Sequence, residues 1–207
     1  AIRRPSGVLV DVTYVPLCPE VAIGLGTPRP TIKLLAKPGD QVPQALRHRA
    51  ASTWPDDQVI VRVVDSTDHS IDVTDPMREY GKQQGQALTQ ISGYIFCAKS
   101  PSCGMERVKL TTENLPQGEA TGVGIFAKEI MTAQPLLPVE EDGRLNDAPL
   151  RENFITRVYA YRRWQLMNAE GTPSVKQLTK FHADHKFFNE ADAPETYKLL
   201  GPIVAEA

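Results

Sequence analysis

The chain lacks a long apolar run: no stretch of its 207 residues reaches the roughly 18 residues that a membrane-spanning helix needs, so no such helix is expected. Cysteine is scarce. Three residues, an odd count without a CxxC pair, argue against a disulfide framework and fit a reducing, cytoplasmic setting in which thiols serve chemistry or metal binding. An excess of one charge is also missing. The 23 Lys/Arg and 25 Asp/Glu leave a net charge of −2, which gives no global attraction to nucleic acid. Residues 148–207 carry eight Lys/Arg and seven Asp/Glu, so any RNA contact has to rest on local basic clusters. Internal repeats and low-complexity tracts are absent. Gly24-Leu25-Gly26-Thr27-Pro28-Arg29 is glycine-rich but lacks the G-x-x-x-x-G-K pattern and a clear following helix, which argues against a nucleoside triphosphate loop.

What is present is the composition of a soluble globule, 41% apolar and 23% charged, long enough for one or two domains with a substantial core. Short β-branched or apolar runs predict strands at Val12–Leu17, Ile32–Ala36, Val59–Val64, Tyr94–Cys97, Arg107–Leu110 and Leu136–Val139. Asp75-Pro76 opens a helix towards Ile91, weakened by Gly81 and Gly85, and Gly122–Met131 is a second. This alternation predicts an α/β fold, a Rossmann-like and largely parallel sheet with helices. The pattern changes after Asp147. Leu150, Phe154, Val158 and Tyr161 line one helical face, Thr172-Pro173 starts another helix and Pro194 a third. Two domains are expected, 1–147 and an all-α segment 148–207, with Pro135–Pro149 as the linker region.

Two cysteines sit where chemistry is expected. Val15-Pro16-Leu17-Cys18-Pro19-Glu20 and Lys99-Ser100-Pro101-Ser102-Cys103-Gly104 each end an apolar run in a loop of Pro, Ser or Gly. Proline fixes φ and glycine allows close backbone approach, so such loops present a thiol rigidly. Converging loops of this kind hold a metal or cluster, or carry a thiol nucleophile. Glu20 is either an acid/base group or a carboxylate at a helix start. Ser100 and Ser102 either relay a proton or cap a loop. Arg29 either holds a phosphate or pyrimidine carbonyl or makes a structural ion pair. Cys97 reads as a small core residue, with a substitute cluster ligand as the alternative. His182 and His185, spaced i, i+3, are a weak candidate metal pair without a third ligand. Arg157, Arg162, Arg163, Lys180 and Lys186, with Tyr161 and Trp164, form either a basic, aromatic RNA-facing surface or a solvated face around a core tryptophan.

The cysteine motifs resemble the thiouracil desulfurase family. The likeness extends through Gly93-Tyr94-Ile95-Phe96, Gly122-Val123-Gly124-Ile125-Phe126-Ala127 and Leu137-Pro138-Val139-Glu140-Glu141. Arg144-Leu145-Asn146-Asp147, Leu150-Arg151-Glu152-Asn153-Phe154, Tyr161-Arg162-Arg163-Trp164 and Phe181-His182-Ala183-Asp184-His185-Lys186 resemble a following YbgA-like helical domain. The arrangement is similar to RudS-type tRNA thiouridine desulfidases. The resemblance implies a [4Fe-4S] cluster with one open iron, ligated by Cys18, Cys103 and a third cysteine in a Cys-Leu-Leu-Gly-type segment upstream of Ala1. With it, Glu20, Ser100 and Ser102 are expected as catalytic groups, and Arg29, Arg162 and Arg163 are expected as substrate contacts. The expected reaction converts thiouridine in tRNA, 4-thiouridine foremost, to uridine. The alternatives are desulfuration of a free thiouracil-type base, or a non-catalytic helical interaction protein with a degenerate cluster domain. The sulfurs of Cys18 and Cys103 are expected to lie close together, with Glu20 facing them.

Overall fold

A computed structural model describes residues 2–3, 9–10, 12–36, 61–112, 115–169, 171–186, 198–199 and 202–203. The chain divides into two compact units, Ala1–Phe154 and Ile155–Ala207.

The first unit is α/β. Strands β1 (Ile2–Arg3) and β2 (Leu9–Val10) pair as a short antiparallel ribbon. Helix α1 is a single turn, Pro19–Ala22, with proline at its start, where the missing N–H costs no hydrogen bond. Strands β3 (Ile32–Ala36), β4 (Val61–Asp65), β6 (Val108–Thr112) and β7 (Leu115–Gly122) form one sheet in the order β4-β3-β6-β7. Leu34 lies opposite Val63 on one side and Leu110 on the other, and all three are buried. Burying each such side chain contributes on the order of 1.5–3 kcal/mol. Strands β5 (Tyr94–Phe96) and β8 (Val139–Glu141) make a separate parallel pair.

The expected largely parallel, Rossmann-like sheet is corrected to a mixed one. Only β3–β6 is parallel within the four-stranded sheet, while β3–β4 and β6–β7 are antiparallel. The reason for β6–β7 is length. Two residues separate Thr112 from Leu115, enough for a hairpin and far too few for a parallel crossover. The expected strand Val12–Leu17 is not formed, and the chain runs without regular structure into Cys18.

Helices α2 (Thr74–Ala87) and α3 (Ile125–Ala133) pack together. Their contact passes over Gly81 and Gly85. A Cβ at Gly81 would lie 2.8 Å from Glu129 Cβ, and one at Gly85 would lie 2.6 Å from Ala133 Cβ. The glycines that weaken α2 as an isolated helix are what let α3 approach. Phe126, fully buried on α3, stacks on Tyr80 of α2 and lies against Tyr94 of β5. These contacts place the start of α3 beside the loop that follows β5.

Helix α4 spans Ala148–Ala169 and crosses the boundary between the units. In the second unit it is followed by α5 (Val175–Asp184), which Ser174 starts with a capping box closed by Gln177. Trp164 meets Phe181 edge-on at 5.8 Å between ring centroids. The helix expected from Pro194 begins outside the described residues.

Candidate active site

The two cysteine loops meet at Glu20. Proline at position 19 starts α1 directly after Cys18, so the turn carries the Glu20 carboxylate back towards the thiol. Cys18 Sγ donates to Glu20 Oε2 at 3.2 Å. Arg29 Nη2 donates to the same oxygen, also at 3.2 Å. The other oxygen, Oε1, accepts from Ser102 Oγ, 82 positions along the chain. Ser102 Oγ also lies 3.5 Å from Cys103 Sγ and 2.9 Å from Ser100 Oγ. One nearly buried carboxylate therefore links both cysteine loops, both serines and an arginine.

The loop that carries Ser102 and Cys103 is held by its own backbone and by α3. Ser100 Oγ accepts from the N–H groups of Ser102 (3.3 Å) and Cys103 (3.2 Å), and Ser100 C=O accepts from Gly104 N–H at 2.8 Å. This is the local side-chain-to-backbone bonding that serine favours in loops. The first N–H groups of α3 need partners from outside the helix. Pro101 C=O takes Ile125 N–H, Ser102 C=O takes Ala127 N–H and Gly104 C=O takes Gly124 N–H, at 3.3, 3.1 and 2.8 Å. The approach is so close that a Cβ on Gly124 would lie 2.7 Å from Cys103 N and overlap Ser102 C=O.

Burial is the dominant electrostatic influence on Cys103 and Cys97. It pushes Cys103 up to about 12; the Ser102 hydroxyl opposes the shift, and the negative charge of Glu20, Cys97 and Cys18 adds to it. Cys97 is also raised, first by desolvation and then by Asp142, Glu20 and Glu141. Tyr94 is pushed above the usual phenol range by burial, then by the charges of Cys103, Tyr80 and Cys18. Tyr94 belongs to the Gly93-Tyr94-Ile95-Phe96 stretch that carries part of the family likeness, but the sequence assigns it no role.

Several other residues lie elsewhere. Cys97 is not a core residue: it is exposed at the end of β5, where the chain leaves the strand. Arg29, by contrast, belongs to the site, where it makes the ion pair with Glu20. Arg162 and Arg163 are exposed on α4 in the second unit, as is Arg157. The histidine pair forms no metal site among the described residues. His185 is buried, with Nδ1 2.7 Å from Phe181 C=O and its ring on Phe181 at 4.2 Å.

Iron–sulfur chemistry fits these residues in kind. Burial pushes the Cys103 thiol up, and a bound iron would favour its thiolate, the form that ligates a cluster. In number the fit stops at two thiols. Among the described residues, no set of three or more His, Cys, Asp or Glu side chains is arranged to hold a metal ion.

The α/β unit thus gathers two thiols, two hydroxyls and a carboxylate where the start of α1 meets the loop after β5. A family model described as 2-thiouracil desulfurase matches residues 4–142, and the chain belongs to that family. No curated protein and no solved structure matches the chain significantly.

Proposed function

We propose that the protein is a hydrolytic desulfidase of thiouracil-type rings, that it works with a [4Fe-4S] cluster, and that its substrate is thiouridine in tRNA. The observation that carries the reading is the placing of Glu20, bonded at once to Cys18, Ser102 and Arg29.

The net reaction replaces a ring C=S by C=O. Water adds to the ring carbon, a C–O bond forms, the C–S bond breaks, and sulfur leaves as hydrogen sulfide with both protons of the water. One group must take a proton from water and return it to the departing sulfur. Glu20 has the position for that task. Ser102, bonded to Glu20 and 2.9 Å from Ser100, extends the proton path along the loop. Arg29 fixes the carboxylate from the opposite side and supplies charge where negative charge develops. When bound, the cluster would supply an open iron as a Lewis acid for the substrate sulfur, with Cys18 and Cys103 as two of its protein ligands. The intact set of proton-handling groups and the family favour an enzyme over a non-catalytic interaction protein.

The choice of tRNA over a free base is supported by the basic surface of α4, where Arg157, Arg162 and Arg163 are exposed. It agrees with a YbgA-like role for the helical segment 148–207 and with action in the cytoplasm. The test is turnover by anaerobically reconstituted protein of 2-thiouracil, 4-thiouracil, 4-thiouridine and thiolated tRNA. Released sulfide and loss of thione absorbance are followed together. Turnover of tRNA with little of the free bases supports the full reading. Turnover of free bases alone reduces it to a base desulfurase, and none with any substrate overturns it.

A further inference from the structure

The loop from Ala98 to Glu106 carries Ser100, Ser102 and Cys103, and its ends are strained. Lys99 has φ 62° and Arg107 φ 52°, and among the described residues these are the only non-glycine residues with positive φ. Side chains resist that conformation, and it persists only where the surroundings enforce it. The enforcing groups come from the end of β8. Parallel pairing sets Phe96 opposite Glu141, and Asp142 N–H then bonds Phe96 C=O at 2.9 Å. The carboxylates of two consecutive residues are thereby delivered to the two ends of the loop. Asp142 Oδ1 accepts from Ala98 N–H at 3.0 Å, and Glu141 Oε1 accepts from Met105 N–H at 3.0 Å. A third tether follows one residue later. Glu106 accepts from Arg144 Nη1 at 2.9 Å, while Arg144 Nε bonds Glu140 at 2.6 Å.

We infer that Glu141 and Asp142 are positioning residues for desulfuration: a carboxylate clamp that holds the Ser100–Cys103 loop in its working shape by fixing both ends. The inference rests on the desulfidase reading for its catalytic part. The two carboxylates bond the amides at the loop's ends, outside the Glu20–Ser102–Cys103 group, so each acts through the backbone. Glu141 is buried, at 3% exposure, which suits an acceptor dedicated to one amide.

The test uses the full chain with Glu141→Ala, Glu141→Gln, Asp142→Ala and Asp142→Asn. Gln and Asn keep an oxygen acceptor, and Ala removes it. Hydrogen exchange of the peptide spanning residues 97–106 is the first readout. It should quicken about ten- to hundredfold in each Ala variant, the effect of losing a hydrogen bond to a charged group. Gln and Asn should restore most of the protection. The second readout is turnover: kcat should fall about tenfold or more in the Ala variants with KM kept, because the groups that meet the ring are untouched. Asp142 is exposed, so its variants test the clamp even where Glu141→Ala unfolds the unit. Unchanged exchange and unchanged kcat in both Ala variants would overturn the clamp. So would Gln and Asn variants as impaired as Ala. An inactive wild-type chain that still shows the exchange differences would instead remove the desulfidase reading and leave the loop-fixing role standing.

Discussion

Ser102 Oγ donates its hydrogen bond to Glu20 Oε1 across 82 positions of sequence, and this one bond joins the two cysteine loops. Everything else at the site is arranged around it. Cys18 and Arg29 share the second oxygen of the carboxylate, and Ser100 and Cys103 flank the hydroxyl.

Replacing Glu20 by Gln keeps the size and an acceptor but removes the base. Turnover should fall about 10²–10⁴-fold, the usual range for loss of a general acid–base group, with little change in KM. Steady-state sulfide release measures it. Turnover within about twofold of wild type would take Glu20 out of the mechanism.

Ser102 and Ser100 should act as a unit. Ser102→Ala leaves Glu20 short of a partner in a nearly buried setting and should lower kcat about ten- to hundredfold. Ser100→Ala removes the acceptor for two loop amides and should cost a similar factor. Because the hydroxyls touch at 2.9 Å, the double variant should be much less impaired than the product of the two single effects. Fully multiplicative effects would show two independent roles.

The two buried-site thiols should behave differently from Cys97. After anaerobic reconstitution, Cys18→Ser and Cys103→Ser should lose most of the bound iron, and Cys97→Ser should keep it. Cys97 is exposed at the end of β5, whereas Cys18 and Cys103 are drawn in around Glu20 and Ser102. Iron analysis of the three variants decides the matter, and a Cys97→Ser protein as poor in iron as the other two would make Cys97 a ligand.

Gly124→Ala should destabilise the first unit without introducing backbone strain. Its φ of −61° and ψ of 137° suit alanine, but the added Cβ overlaps Ser102 C=O and comes 2.7 Å from Cys103 N. Overpacking of this kind costs about 1–3 kcal/mol. Thermal unfolding followed by circular dichroism would register it, and an unchanged midpoint would mean that the cysteine loop shifts freely.

How far the site was legible follows from particular residues. Cys18 and Cys103 stand out in sequence by their Pro, Ser and Gly surroundings and the family likeness, whereas Glu20, Ser100 and Ser102 read by themselves as a helix-start carboxylate and loop caps and gain a role only through that likeness; the structure gathers all five. Glu141 and Asp142 did not stand out as loop anchors. Their acidic run reads as part of a linker, and only the pairing of β8 with β5 gives it a purpose. In the fold, β3 was plain from Ile32–Ala36. Strand β7 was hidden because Leu-Pro-Gln-Gly-Glu-Ala-Thr-Gly has no β-branched alternation; its pairing with β6 makes it a strand. Conversely, Val12–Leu17 has strand composition but pairs with no strand among the described residues.

Arg162 and Arg163 are adjacent on a helix, so their side chains leave it about 100° apart and only one can point squarely at a flat partner. Their surroundings differ as well. The positive charge of Arg163 helps hold Asp184 below the usual carboxylate range, after the larger effect of Lys180, so Arg163 already has an acidic neighbour within its own unit. Arg162 is exposed on the same helix. If the surface binds tRNA, Arg162→Glu should weaken binding more than Arg163→Glu. It should also lower the salt dependence of the affinity by about 0.7–0.9 in logarithmic slope for each phosphate that is no longer neutralised. Titration of thiolated tRNA at several salt concentrations measures both, with turnover of a free thiolated base as the control. Failure to bind tRNA beside retained turnover of the base would assign the helix to RNA. Equal impairment on both substrates, or a larger effect at Arg163, would mean that these arginines stabilise the helical unit, and tRNA would have to be held elsewhere.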